Sequence, residues 1–379
     1  MTGLGKLAFL GVVLSSLTSA RSSPLRRQDN VTHSPGPYIV TLRDGLDESA
    51  IEQHLQWATS LQARSDSPVV ELGRRWNIGS WNAYSCTMDE DALAKINRDD
   101  AGLGAISHRM PNHTDYVYDS KAGEGTYAYI LDSGLLTTHE EFEGRASLGY
   151  NAVDGEFVDD TGHGTHVAGT IGGKTYGVAK KANLISVKIF QRGQGMVSDF
   201  LEGYQWAIYN ITKENRQDVS VINVSGGGGV MEALNRAVDE GYKKGVITVV
   251  AAGNYDQDVH RHSPASAPNA VTVGAIGKEF KRSSFSNWGD LVDIFAPGED
   301  IRSAWIGSND DMQSHSGTSM AAPHIAGLIL YLKSLIPYRM KTPASSVWEL
   351  QNLATDHVIQ DTKGCKNLMG FNGNGIVIV

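Results

Sequence analysis

Three short segments of this chain hold side chains that together could carry out nucleophilic acyl transfer. In Ser314-His315-Ser316-Gly317-Thr318-Ser319-Met320-Ala321-Ala322-Pro323-His324, small residues run into an apolar stretch, 325–335, that reads as a buried helix. Ser319 is therefore expected at a helix N-terminus, where unpaired N–H groups and the macrodipole favour developing negative charge. Gly317 and Thr318 permit close approach of a substrate backbone, and Pro323 is expected in the first helical turn, where a missing amide donor costs little. A serine hydroxyl is a weak nucleophile near neutral pH, so it needs a base, and the base needs an orienting group. His163 is the candidate base, in Asp160-Thr161-Gly162-His163-Gly164-Thr165-His166-Val167-Ala168-Gly169-Thr170. Asp132 is the candidate orienter, delivered by the apolar run 126–131 just before the turn Ser133-Gly134.

Two other chemistries fit less well. A zinc site from His163 and His166 would want a spacing of four and a glutamate after the first histidine, and this chain has neither, so His166 reads as a structural helix residue. An esterase or lipase would show a Gly-x-Ser-x-Gly elbow and the order Ser, Asp, His; here Ala321 replaces the second glycine and the order is Asp, His, Ser.

The elements that must position these groups alternate along the chain. Strands are expected at 183–190, 219–224, 246–251 and 271–275, with helices near 198–210 and 230–244, a pattern that predicts an α/β fold with a mainly parallel sheet and helices on both faces. Function should gather at the carboxyl ends of the strands, where Asp132, Ser225 and Asn254 fall. Upstream, strands at 38–42 and 82–88 and helices at 48–61 and 89–96 make a small α+β unit.

A chain of 379 residues accommodates one large α/β domain and a smaller unit. A net charge of −9 with no Lys/Arg-rich run argues against nucleic acid or an anionic membrane as partner. Lys6, the apolar stretch 7–14 and the small residues ending at Ala20 form a secretory signal pattern over 1–20, too short for a membrane span, which predicts a secreted, extracellular product. Cys86 and Cys365 allow at most one disulfide. Sequons at Asn112 and Asn210 lie among polar residues and are the better glycosylation candidates; Asn223 lies in a strand expected to be buried.

Taken with Ala122-Gly123-Glu124-Gly125-Thr126-Tyr127, His139-Glu140-Glu141-Phe142-Glu143-Gly144-Arg145-Ala146, Tyr176-Gly177-Val178-Ala179-Lys180-Lys181 and Ser283-Ser284-Phe285-Ser286-Asn287, the three motifs resemble the subtilisin-like serine peptidases, in particular the secreted fungal proteinase K and alkaline protease branch, over roughly 106–374. The resemblance implies a subtilisin-like catalytic domain at 101–379 and an inhibitory, ferredoxin-like propeptide at 21–100 that acts as an intramolecular inhibitor. It implies a monomeric, broad-specificity endopeptidase for protein and peptide substrates, with no cofactor for catalysis. Asn254 and the Ser319 N–H would form the oxyanion hole, Ser225, Gly226 and Gly227 would pair with the substrate backbone, and Ala251, Ala252 and Gly253 would wall a primary pocket for large apolar or aromatic side chains. Relatives usually carry a bulky residue at Gly226, so the pocket for the fourth residue before the scissile bond is expected to be less defined. A structural calcium is implied at Asp293 and the carbonyls of Pro268 and Ala270. The segment 97–101 is too short and polar for the final propeptide strand and tail of relatives, which makes a catalytically impaired homologue, or a non-catalytic binding protein, the alternative.

Overall fold

The computed structural model describes residues 36–42, 52, 55, 70–78, 81–88, 101–111, 113 and 115–374. The chain divides into two units, Met1–Asp99 and Asp100–Val379.

In the first unit β1 (Gly36–Leu42), β2 (Val70–Ile78) and β3 (Trp81–Met88) form an antiparallel sheet with β3 in the centre. The sequence pattern anticipates β1 and β3 but not β2. A register shift between Leu72 and Arg75 turns the second half of β2 over, and the adjacent Arg74 and Arg75 hide what alternation remains. The expected signal segment and the segment 97–100 lie outside the described residues. So do the helices 48–61 and 89–96, apart from Glu52 and Leu55, which are helical.

The second unit opens with α1 (Ala101–Ser107), a helix the sequence pattern does not announce because two glycines interrupt it. Burial of Leu103 and Ile106, one turn apart, holds it in place. There follow β4 (Tyr127–Asp132), β5 (Ala146–Asn151), α2 (His163–Gly172), β6 (Asn183–Lys188), α3 (Val197–Lys213) and β7 (Ser220–Val224). The chain continues through β8 (Gly228–Gly229), α4 (Glu232–Lys243), β9 (Thr248–Ala251), β10 (His262–Ser263), β11 (Val271–Ile276), β12 (Ile294–Pro297), β13 (Ile301–Ala304) and β14 (Met312–His315). It closes with α5 (Thr318–Leu335), α6 (Pro343–Leu353), β15 (Thr355–Asp356) and β16 (Leu368–Met369).

Nine strands make one sheet in the order β15-β16-β12-β11-β9-β7-β4-β6-β5, parallel throughout except for the β15–β16 pair. Along β4 the side chains alternate between two cores: Ala128 and Ile130 join α2 and α5 on one face, while Tyr129 and Leu131 join α3 and α4 on the other. Asp132, next in the alternation, belongs to the α2/α5 face, the face on which α2 begins with His163 and α5 carries Ser319.

Helix α5 is buried on every side from Met320 to Lys333, so its apolar surface is divided between sheet and neighbouring helices rather than exposed along a stripe. Leu328 is fully buried there. In a Ser319→Ala background, Leu328→Ala should cost about 2–5 kcal/mol in urea unfolding; a loss below about 0.5 kcal/mol would show that the helix is not the core element described.

Candidate active site

The parallel register sets the site. Leu131 of β4 lies opposite Val224 of β7, so Asp132 and Ser225 emerge side by side at the carboxyl ends of adjacent strands. His163 Nδ1 stands 2.7 Å from Asp132 Oδ1, which also accepts the Ser133 N–H at 2.7 Å. Ser225 and Ser319 are joined twice: the Ser319 hydroxyl donates to Ser225 O at 3.0 Å, and the Ser225 hydroxyl donates to Ser319 O at 2.8 Å. The second bond has a cause in the helix. Pro323 is the sixth residue of α5, not in its first turn as expected, and its missing N–H leaves the carbonyl four residues back, Ser319 O, without an intrahelical donor. The Ser225 hydroxyl supplies one.

His163 is half-buried, and its pKa balances opposed causes. Burial alone would lower it, but the Asp132 charge and hydrogen bond, with a further contribution from Asp159, outweigh burial and raise it above the ordinary 6.5. Gly162, the N-cap of α2 at φ 85°, admits no side chain, because a Cβ there would come within 2.7 Å of the Trp305 ring.

Residues that the sequence does not mark complete this wall. Asp159 accepts from the Ser133 hydroxyl at 2.8 Å, the Gly162 N–H at 2.9 Å, the Thr165 N–H at 2.8 Å and the Thr165 hydroxyl at 2.6 Å. It thereby gathers the loop that presents His163. Lys188, buried opposite Asp132 on β6, donates to Ser133 O at 2.6 Å and to Asp160 Oδ1 at 3.3 Å. Their only sequence signal is a charge beside a strand end or a glycine turn, too common to single out.

Asn254 reaches the start of α5. Its Oδ1 accepts the Thr318 N–H and hydroxyl, both at 2.8 Å, which leaves Nδ2 as the group able to donate beside Ser319. Asn287 fixes the loop: its Nδ2 donates to Ala252 O at 2.8 Å, its N–H to Gly253 O at 2.9 Å, and its Oδ1 accepts from the Tyr255 and Gln257 N–H groups. Ala251 and Ala252 are buried, while Gly226 is half-buried and Gly227 exposed. A Cβ on Gly226 would meet the Phe190 ring at 2.7 Å, so an aromatic ring takes the space that a side chain there would need.

Other expectations fare differently. His166 is buried, its Nε2 stands 2.9 Å from Ile301 O, and burial drives its pKa down to about 3, so it is a neutral structural residue. Asn223 is fully buried, its Nδ2 donating to Ser225 Oγ. Cys365 is a buried free thiol accepting the Gly289 N–H, and burial pushes its pKa up. The calcium expectation needs correction. Asp293 Oδ2 accepts the Thr272 N–H at 3.0 Å and Oδ1 the Lys366 ammonium at 2.8 Å, so a fixed cation already neutralises the one carboxylate of the set, and Asp293 with Pro268 and Ala270 does not fit Ca²⁺.

Comparison with known proteins points to one family. The pattern of the subtilase family matches residues 123–373 and that of peptidase inhibitor I9 matches residues 37–101. The chain is 45% identical over 400 aligned positions to alkaline protease 1 of Aspergillus flavus, covering 97% of this chain and 98% of that protein. It is 42% identical to the alkaline proteinase of Hapsidospora chrysogena, covering 97% and 98%. The crystal structure of a cold adapted subtilisin-like serine proteinase superposes with a TM-score of 0.67 at 38% identity, over 73% of this chain and 98% of that one.

Two outcomes are expected. Activity that needs neutral His163 should rise with pH through a midpoint above 6.5, and Asp132→Asn should lower that midpoint and reduce turnover by about 10⁴; a pH–rate profile with an unshifted limb in the variant would contradict the assignment. Millimolar Ca²⁺ added to metal-stripped protein should move the thermal midpoint by less than about 1 °C, since a ligand without a native-state site adds no stability. A rise of several degrees would show that Lys366 yields.

Proposed function

The chain belongs to the subtilase family and is a serine-type endopeptidase, and from that premise we propose that Ser319, His163 and Asp132 carry its chemistry. The observation that carries this reading is the Asp132–His163 hydrogen bond on the same sheet face as the start of α5. Ser319 Oγ attacks the scissile carbonyl carbon while His163 Nε2 takes the hydroxyl proton. The C–N bond then breaks as His163 gives that proton to the leaving amine, and water repeats the sequence to release the acid. The Asn254 amide and the Ser319 N–H, one of the first and therefore unpaired amides of α5, hold the oxyanion. As in other subtilases, the reaction needs no cofactor.

Substrate binding and nucleophile release are coupled in this reading. Ser225 O is the backbone acceptor that an added substrate strand would use, and it is the group on which the Ser319 hydroxyl rests. A substrate N–H arriving at Ser225 O displaces the hydroxyl and frees it for His163. Ala251, Ala252 and Gly253 supply small walls suited to large apolar or aromatic side chains, and Phe190 over Gly226 borders the more distant subsite.

We assign 1–20 as a signal peptide of a secreted monomer, 21–100 as its propeptide and inhibitor, and 101–379 as the catalytic domain, with Asn112 and Asn210 as glycan acceptors. The inhibitor and subtilase matches support the division. Asn112 lies outside the described residues, and Asn210 is half-buried with its Oδ1 accepting the Tyr129 hydroxyl. No helix among the described residues is long and apolar enough to cross a membrane. The alignment with the Aspergillus flavus relative has more positions than this chain has residues, so that relative carries segments without counterpart here. The hydrogen bonds of the site nevertheless give the alternative of an impaired homologue no support.

Ser319→Ala should abolish casein hydrolysis with the fold intact, by about a millionfold in turnover, the loss known for such a serine in bacterial subtilisin. Near wild-type cleavage by the variant, or turnover of short-chain esters without any of casein, would refute the assignment.

A further inference from the structure

We propose that Arg282 is a positioning residue for the oxyanion donor, a clasp that holds the backbone carrying Asn254 to the segment that ends in Asn287. The proposal rests on the reading of Asn254 as that donor. Thr318 fixes the amide end of the Asn254 side chain, but the direction of Nδ2 depends also on where the main chain places the Cα. That placement comes from three bonds between two segments outside the nine-stranded sheet. The Asn287 N–H donates to Gly253 O at 2.9 Å, the Asp256 N–H to Phe285 O at 2.9 Å and the Trp288 N–H to Gln257 O at 3.0 Å.

Arg282 is only 3% exposed, and every nitrogen of its guanidinium is engaged. Nε donates to Asp361 O at 2.9 Å and Nη2 to Asp361 Oδ2 at 3.0 Å. Nη1 donates to Ser283 O at 3.1 Å and to Ser286 O at 2.6 Å, and it stands 3.0 Å from Asp256 Oδ1. One side chain thus joins the turn directly before Asn287 to the carboxylate two residues after Asn254. A planar fork with donors in three directions suits acceptors spread over three segments, whereas an ammonium on a flexible stem is a point donor.

Asp256 is where a hold is needed, because its φ of 49° lies in the left-handed region that residues other than glycine enter at a cost. The Trp288 Nε1–H donates to Asp256 O at 3.0 Å, and Lys363 Nζ donates to the two carboxylate oxygens at 2.7 and 2.9 Å. The Lys363 hydrogen bonds, with the Arg282 charge, hold the Asp256 carboxyl below the ordinary carboxylate range, so it is ionised wherever His163 is neutral. Without the clasp the Cα of Asn254 is free to drift, and a misplacement of about 1 Å is enough to cost about a hundredfold in rate.

The test uses the full chain, with active sites counted by fluorophosphonate titration to completion so that unfolded protein does not enter kcat. Asn254→Ala should lower kcat by about 100- to 1,000-fold, as loss of such a donor does in bacterial subtilisin; an unchanged kcat there would remove the oxyanion reading itself. Arg282→Lys should lower kcat about tenfold and Asp256→Asn about threefold, each with KM within about twofold, because the oxyanion exists only in the transition state. In the Asn254→Ala background both effects should shrink below about 1.5-fold, since a donor that is gone cannot be misplaced. A merely structural role would carry the full loss into that background. Asparagine tolerates positive φ as aspartate does, so Asp256→Asn decides alone if Arg282→Lys does not fold. Undiminished losses beside Asn254→Ala, a rise in KM with kcat unchanged, or wild-type kcat in Asp256→Asn would overturn the proposal.

Discussion

The constraint on which this molecule turns is a carboxylate buried at the end of a central strand. Asp132 has no exposure, and taking an ionised carboxylate out of water is tolerable only where partners replace the lost hydration. Oδ1 has two, the Ser133 N–H and His163, while Oδ2 has no hydrogen-bond partner among the described residues. The imidazole is therefore as necessary to the carboxylate as the carboxylate is to the imidazole. The surrounding network then reads as support for that pair: Lys188 brings positive charge to the adjacent strand end, Asp159 closes the loop that carries His163, and Trp305 lies across Gly162. A weaker frame would let the imidazole turn away and leave a buried charge unpaired.

A second coupling links nucleophile and substrate strand through one missing hydrogen atom. Pro323 lacks the N–H that would have closed the ring to Ser319 O, and the Ser225 hydroxyl takes that place from the neighbouring strand end. The proline thus joins helix to sheet at the residue that must be positioned best. It also keeps Ser225 O turned toward Ser319, which makes the same peptide unit both the resting partner of the hydroxyl and the acceptor proposed for substrate.

Much of this was legible in the order of residues. Buried parallel strands announce themselves as apolar runs, so β4, β6, β7, β9 and β11 could be read with their carboxyl ends, and Asp132, His163, Asn254 and Ser319 stand at turns rich in small residues. What escaped depends on contacts that local pattern does not record. The β2 strand is masked by a register shift, β15 and β16 are only two residues each, and Asp159 matters because a closed loop brings five donors to it. The family resemblance implies Asp293 as a calcium ligand, whereas the ammonium that pairs with it, Lys366, lies 73 residues away. A long-range ion pair of that kind has no periodicity by which to find it.

The strand order has a consequence for how long the molecule lasts. β4 is flanked by β6 and β7, which come later in the chain, and β12 receives β16 from near the end of the described residues, so most pairings join distant segments. Such topologies close large loops before contacts repay the entropy, so a chain that has opened is slow to close again. An endopeptidase lives in solution with copies of itself, and any chain that opens becomes food. Its working lifetime is therefore set by the rate at which the sheet first parts rather than by the free energy of the fully unfolded state.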